Sequence, residues 1–134
     1  MTDKRQTHPA PLIPAATTLL VRDGDAGVEV FMVVRNRGTD RFSGALVFPG
    51  GKVDPRDSDE GLRAYCRDPA GLGGEELSLR IAAIREAFEE SGVLLARYRD
   101  SGLIPDGRQM AELEGYRAEL EQDHTTLLTL AREE

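Results

Sequence analysis

Three carboxylates crowd one stretch near the middle of the chain, Arg85-Glu86-Ala87-Phe88-Glu89-Glu90. The residues around them read as a helix, because Leu77, Ile81, Ile84 and Phe88 recur at three- and four-residue steps. Advancing about 100° per residue from Ile84, that apolar set falls within roughly 60°, and Glu89, Glu86 and Glu90 fall at about 140°, 200° and 240°. The carboxylates therefore share the side opposite the apolar stripe. Like charges one turn apart weaken a helix by roughly 0.2–0.5 kcal/mol per pair. Their place toward the helix C-terminus adds to the cost, since the macrodipole there disfavours anions. A hard cation such as Mg²⁺ accounts for the arrangement: it takes oxygen ligands and keeps other positions for water and substrate phosphate. Arg85, four residues before Glu89, is placed to pair with it and fix its rotamer. An isolated Glu-x-x-Glu-Glu is most often only a solvated face, so the surroundings must decide.

The acidic helix spans 75–91, and Gly92 sits where a helix end wants a left-handed residue. Ahead of it, residues 44–51 read as a short apolar strand stopped by Pro49, Gly50 and Gly51. Further upstream, 12–22 and 28–35 read as strands, with Pro14 near a sheet edge and the Asp- and Gly-rich turn 23–27 joining them as a hairpin. A polar loop, 36–43, follows. Residues 52–74 show no clear periodicity beyond a helical turn or two over 60–67. After the helix, 93–97 reads as another strand. From Arg108 a helical stripe of Leu113, Tyr116, Leu120 and Leu127 runs on, with a break near Asp123-His124.

Bulk properties narrow the class. A chain of 134 residues, 40% hydrophobic and 31% charged, has the size and composition of one globular domain. The net charge of -7 argues against a nucleic-acid partner, which needs clustered Lys and Arg. It also implies that any anionic substrate is met through cations. Cys66 is the single cysteine, so an intramolecular disulfide or a cysteine-cluster metal site is excluded. His8 and His124 have no metal-spaced partner, and Gly71-x-Gly73-Gly74 lacks the Lys-Ser/Thr ending of a phosphate loop. No run has the length of a signal peptide or a membrane span, so a cytoplasmic protein without membrane contacts is expected.

Gly51, followed at a distance by Arg85-Glu86-Ala87-Phe88-Glu89-Glu90-Ser91-Gly92-Val93, resembles the two ends of the Nudix box. That pattern runs Gly, five residues, Glu, seven residues, Arg-Glu-apolar-x-Glu-Glu-x-Gly-apolar. The second half matches at every defined position. In the first half Asp57 stands in place of Glu, and Gly51 lies 34 positions before Arg85, twenty more than the uninterrupted box needs. Gly44-x-x-x-Phe48-Pro49-Gly50-Gly51, with Lys52-Val53-Asp54-Pro55 and Asp57, resembles the coenzyme A diphosphatase branch. The long insertion and the run Ile84 to Leu95 resemble its acyl-CoA diphosphatases. Upstream, Val33-Val34-Arg35-Asn36-Arg37 departs from the segment that branch favours.

The resemblance implies a Nudix-type α/β/α sandwich with a mixed sheet, occupying 12–134 behind a disordered tail, 1–11, with an insertion loop at 58–74. It implies hydrolysis of a diphosphate linkage in a nucleotide-like small molecule, CoA or acyl-CoA among the candidates, with Mg²⁺ or Mn²⁺ as cofactor. Glu86, Glu89, Glu90 and the Gly51 carbonyl would be metal ligands, and Glu86 is also a candidate general base. Arg85 would orient the carboxylates, making Glu86, Arg85 and Glu89 the catalytic set. Arg35, Arg37, Gly50, Gly51 and Lys52 would bind substrate. Strands expected after the box helix have no counterpart in the helical C-terminal segment, which suggests an incomplete and inactive domain. Leu127, Leu128 and Leu130 would then need a partner such as a second copy of the chain. Two other classes stay open: a catalytically silent nucleotide-binding or interaction module, and an acidic scaffold helix.

Overall fold

The computed structural model describes residues 11–34, 44–123 and 125–134. Ten labelled elements and two 3-10 helices make up the described chain. Strands β1 (Ala15–Thr17), β2 (Val21–Gly24), β3 (Gly27–Val30), β4 (Val33–Val34), β5 (Leu46–Val47) and β6 (Gly50–Lys52) come first. The 3-10 helices Pro55–Ser58 and Glu60–Tyr65 follow, and then helices α1 (Gly74–Ser91), α2 (Gly107–Glu112), α3 (Glu114–Glu121) and α4 (Leu127–Glu133). Strands and helices combine in an α/β fold. The tail at 1–10, the polar loop 36–43, His8 and His124 lie outside the described residues.

The expected hairpin is present as β2 and β3, paired antiparallel from Val21↔Val30 to Gly24↔Gly27. Arg22 and Glu29 face each other across it at 2.7 Å. The two long strands read from the sequence are each interrupted. Residues 12–22 divide into β1, which pairs with β6, and β2, which pairs with β3. Residues 28–35 divide into β3 and β4, and β4 pairs with β5. The described strands thus form three separate antiparallel ladders, where one mixed sheet was expected. Switching partners explains the breaks: a strand that changes neighbours must bend, and its backbone groups follow the new ladder. Gly50 and Gly51 do not merely stop a strand, as the sequence suggested; they form one, in register with Thr17 and Ala16.

Helix α1 forms as the periodicity predicts, and Gly92 ends it at φ 71°, donating its N–H to the Phe88 carbonyl. Leu77, Ile81 and Phe88 are buried, with Ile84 packed against them. Leu62, Leu94, Leu113, Leu120, Leu127, Leu128 and Leu130 complete the same core. The stretch 58–74 therefore differs from a solvent-facing loop, because its 3-10 helix places Leu62 in that core. The C-terminal leucines find cover inside the chain. Leu128 lies against Gly61, where an added Cβ would meet its Cδ2 at 2.9 Å. Residues 93–97 are not a strand: no described strand pairs with them, and only Leu94 is buried. The helical stripe after Arg108 divides into α2, α3 and α4, with Asp106 capping α2 through the N–H groups of Arg108 and Gln109. Asp123 has φ 60° at the break before α4. Among the described residues no helix is long and apolar enough to cross a membrane.

Candidate active site

The side of α1 opposite its apolar stripe is not a solvated face. Ladder β1–β6 and the 3-10 helix Pro55–Ser58 pack against α1, and the side chains of Glu86 and Glu89 are only 15% and 13% exposed. Carboxylates covered to this degree need compensation, and Arg85 supplies it. Its Nη1 donates to Glu86 Oε1 and to Glu89 Oε2, each at 2.9 Å. The pairing of Arg85 with Glu89 read from their four-residue spacing is present.

Behind the guanidinium stands Asp57, 2% exposed. Arg85 Nε and Nη2 donate to its two oxygens at 2.9 and 3.0 Å, and Nη2 also reaches the Lys52 carbonyl at 3.0 Å. This is a two-pronged buried ion pair whose geometry fixes the guanidinium plane. A capping box sets Asp57 in turn: the Asp54 N–H donates to Asp57 Oδ2 at 2.8 Å at the start of the 3-10 helix. Burial alone would lower the Arg85 pKa; its hydrogen bond to Asp57 and the nearby Asp57, Glu89 and Glu86 charges more than reverse this, and it is raised. Burial pushes the Glu89 carboxyl above its ordinary range; Arg85 pulls it down and the Glu86 charge pushes it up again.

The glycine bend lies directly against these groups. An added Cβ on Gly51 would stand 2.3 Å from Glu86 Oε1, and one on Gly50 would stand 2.3 Å from the Ala16 carbonyl oxygen. Only glycines let helix carboxylate, bend and β1 approach so closely. The Gly50 N–H donates to Glu90 Oε2 at 3.0 Å. The two halves of the sequence motif, 34 positions apart, thus meet in space. Beside them opens a cleft of about 370 Å³, whose lining includes Lys52, Asp54, Arg56, Glu86, Glu89 and Asp123. Arg56 is held there by Asp54, at 2.7 Å from Nε, and by Asp123. The hydrogen bond to Arg56 draws Asp54 down to about 2 from 3.8.

The structure therefore brings together Arg85, Glu86, Glu89, Glu90, Gly50, Gly51 and Lys52. Arg35 and Arg37 lie outside the described residues. Sequence reasoning treated Asp57 as a departure from a pattern and gave it no role. Its place six residues after Gly51, where the resemblance puts an acid, was the available signal. Arg56 and Asp123 carried no signal, because their pairing crosses 67 positions of chain.

A divalent cation fits the donors in kind, since three carboxylates and the Gly51 backbone offer hard oxygens at the mouth of a polar cleft. As the side chains stand, no three acidic, histidine or cysteine groups among the described residues converge as a metal site. Arg85 holds Glu86 and Glu89, and Gly50 holds Glu90. Every buried side-chain nitrogen and oxygen among the described residues has a hydrogen-bond partner.

The chain matches the family model described as the NUDIX domain over residues 11–133. It is also similar to the crystal structure of a NUDIX hydrolase from Alicyclobacillus acidocaldarius, at 31% identity and a TM-score of 0.61. That similarity covers 81% of this chain and 51% of the other, so the chain spans about half the length of that solved protein.

Proposed function

Because this chain belongs to the Nudix family, we propose that it hydrolyses a diphosphate linkage in a nucleoside-diphosphate derivative, using a divalent cation held at Glu86, Glu89, Glu90 and Gly51. The observation that carries the reading is the contact of the Gly50-Gly51 bend with Glu86 and Glu90. A scaffold helix has no use for a glycine strand pressed onto its acidic side.

The chain's own residues divide the work as follows. Arg85 holds Glu86 and Glu89 at a fixed spacing, and Asp57 fixes Arg85. Glu86, in contact with the bend, is placed either as a ligand or as the base that takes a proton from water. Lys52, on the lining of the cleft, offers its ammonium to substrate phosphate. Arg35 and Arg37 are further candidates for that contact. When bound, Mg²⁺ or Mn²⁺ neutralises phosphate charge and lowers the pKa of the attacking water. Water adds to one phosphorus, the bridging oxygen leaves with the other, and two monophosphate products result. The run from Gly44 to Asp57 and the long insertion favour CoA or acyl-CoA as the substrate.

Calorimetric Mn²⁺ titration and turnover of CoA, acyl-CoA, ADP-ribose and NADH test this reading. Glu90→Gln is expected to lose Mn²⁺ binding and to cut turnover by orders of magnitude while staying folded. Normal hydrolysis by Glu89→Gln or Glu90→Gln would remove the ligand assignment.

A second reading, a module that holds a nucleotide without cleaving it, draws support from one observation. Glu86 Oε1 and Glu89 Oε2 both converge on Arg85 Nη1, so a cation of the chain itself takes oxygens that a metal ion would need. Nucleotide binding without Mn²⁺ and without product would favour that module.

A further inference from the structure

Helix α1 ends under an electrostatic load that its own Arg85 meets at the side chains of Glu86 and Glu89 but not at the terminal carbonyls. Glu86, Glu89 and Glu90 crowd its final two turns, and no basic residue stands in the last turn. The carbonyls there carry the negative end of the helix dipole and lack partners within the helix. Gly92 satisfies only the Phe88 carbonyl. The Glu89 carbonyl finds its donor on another helix: Arg117 Nε, from α3, reaches it at 2.9 Å. Glu114, one turn earlier on α3, holds the same guanidinium through Nη1 at 2.8 Å. The Arg117 side chain is 29% exposed, clamped between the two helices.

We propose that Arg117 is a positioning residue for the candidate active site, fixing the last turn of α1 so that Glu89 and Glu90 keep their spacing from the glycine bend. The inference rests on the proposed function. Its physical basis is the narrow tolerance of the contact it protects. Glu90 Oε2 lies 3.0 Å from Gly50 N, and a drift of about 1 Å takes that pair out of hydrogen-bonding range. The bond from Arg117 is to main chain, so it acts on the turn as a whole and not on one rotamer. Glu114 neutralises the guanidinium, which limits any direct repulsion of a cation at the carboxylates. The C-terminal helices, which carry no catalytic motif, are thereby coupled to the site.

Mn²⁺ calorimetry and thermal melting of Arg117→Met and Arg117→Lys, with kcat and KM for any substrate turned over, test the proposal. Arg117→Met is expected to fold and to bind Mn²⁺ about tenfold more weakly, the size of effect a charge-assisted hydrogen bond carries. Its kcat should fall while KM moves little, and Arg117→Lys should restore most of the loss. A folded Arg117→Met protein that binds Mn²⁺ as tightly as the unsubstituted chain, or more tightly, overturns the proposal. If Arg117→Met does not fold, Glu114→Ala decides. Releasing the guanidinium from its clamp must weaken Mn²⁺ binding severalfold, and unchanged affinity overturns the idea. Failure of the unsubstituted chain to bind Mn²⁺ removes the proposed function and this inference with it. Normal binding in both the unsubstituted and the Met proteins removes this inference alone.

Discussion

The buried pair Arg85–Asp57 invites a comparison between its two halves, because removing either side leaves a different remainder. In Arg85→Met, Asp57 stays 2% exposed and keeps only the Asp54 N–H at 2.8 Å. A carboxylate stranded in that way costs about 3–5 kcal/mol. In Asp57→Ala, Arg85 still has Glu86, Glu89 and the Lys52 carbonyl. The remaining partners share the charge, so the loss falls below that range, at about 2 kcal/mol. Arg85→Met should therefore destabilise more than Asp57→Ala, although Asp57 is the more deeply buried. The double variant should cost less than the sum of the singles, with a coupling of roughly 1–3 kcal/mol. Urea unfolding followed by circular dichroism measures this. With m near 1–3 kcal/mol per molar, a loss of 3 kcal/mol or more moves the midpoint by at least about 1 M. If Asp57→Ala proved as harmful as Arg85→Met, or if the two effects simply added, the picture of a guanidinium shared among three acids would be wrong.

The other expectations concern the bend, the carboxylates and acid stability. Gly51→Ala pushes aside the Glu86 carboxylate, the end of a flexible side chain; weaker Mn²⁺ binding in calorimetry should accompany a loss of only about 1 kcal/mol in thermal or urea unfolding. Glu90→Ala frees the Gly50 N–H and should reduce Mn²⁺ affinity with a stability change under about 1 kcal/mol, since this contact is exposed. Asp54, drawn down to about 2 by Arg56, contributes stability that is fully present above its unfolded value near 4. That contribution is lost as the pH falls toward 2. Solvent screening of the partly exposed pair reduces it to the order of 1 kcal/mol. Acid titration of unfolding should show this slope, and Arg56→Met should flatten it.

Much of this architecture is local, and the local part is legible in sequence. The spacing of Leu77, Ile81 and Phe88 marks α1, and Gly92 marks its end, because helix periodicity and the left-handed cap depend on nearest turns. The hairpin at residues 21–30 is legible for the same reason. What escapes is whatever depends on partners distant in the chain. Val93 to Arg97 has the apolar content of a strand, yet a strand requires a partner, and none of the described ladders takes it up. Residues 12–22 read as one strand because nothing in their composition shows that they serve two ladders. At the site, the carboxylates and the bend were visible as a motif. Their burial was not, since it comes from β6 and a 3-10 helix packing on the polar side of α1. Arg117 was invisible for a like reason: its bond to Glu89 crosses 28 positions.

The pinning of both ends of the interrupted motif has a consequence for how such a chain can grow. Gly51 is set by its ladder with β1, and Arg85 by Asp57, so the geometry at the carboxylates does not depend on how many residues lie between Ser58 and Gly74. Loop closure scales as the logarithm of length, and stretching the Gly51–Arg85 separation from 14 to 34 positions costs under about 1 kcal/mol. Burying Leu62 returns roughly 1.5–3 kcal/mol. Loop closure is thus a small obstacle to extra chain at this point, and the stretch beyond the buried Leu62 is a natural place to graft new sequence while sparing the chemistry.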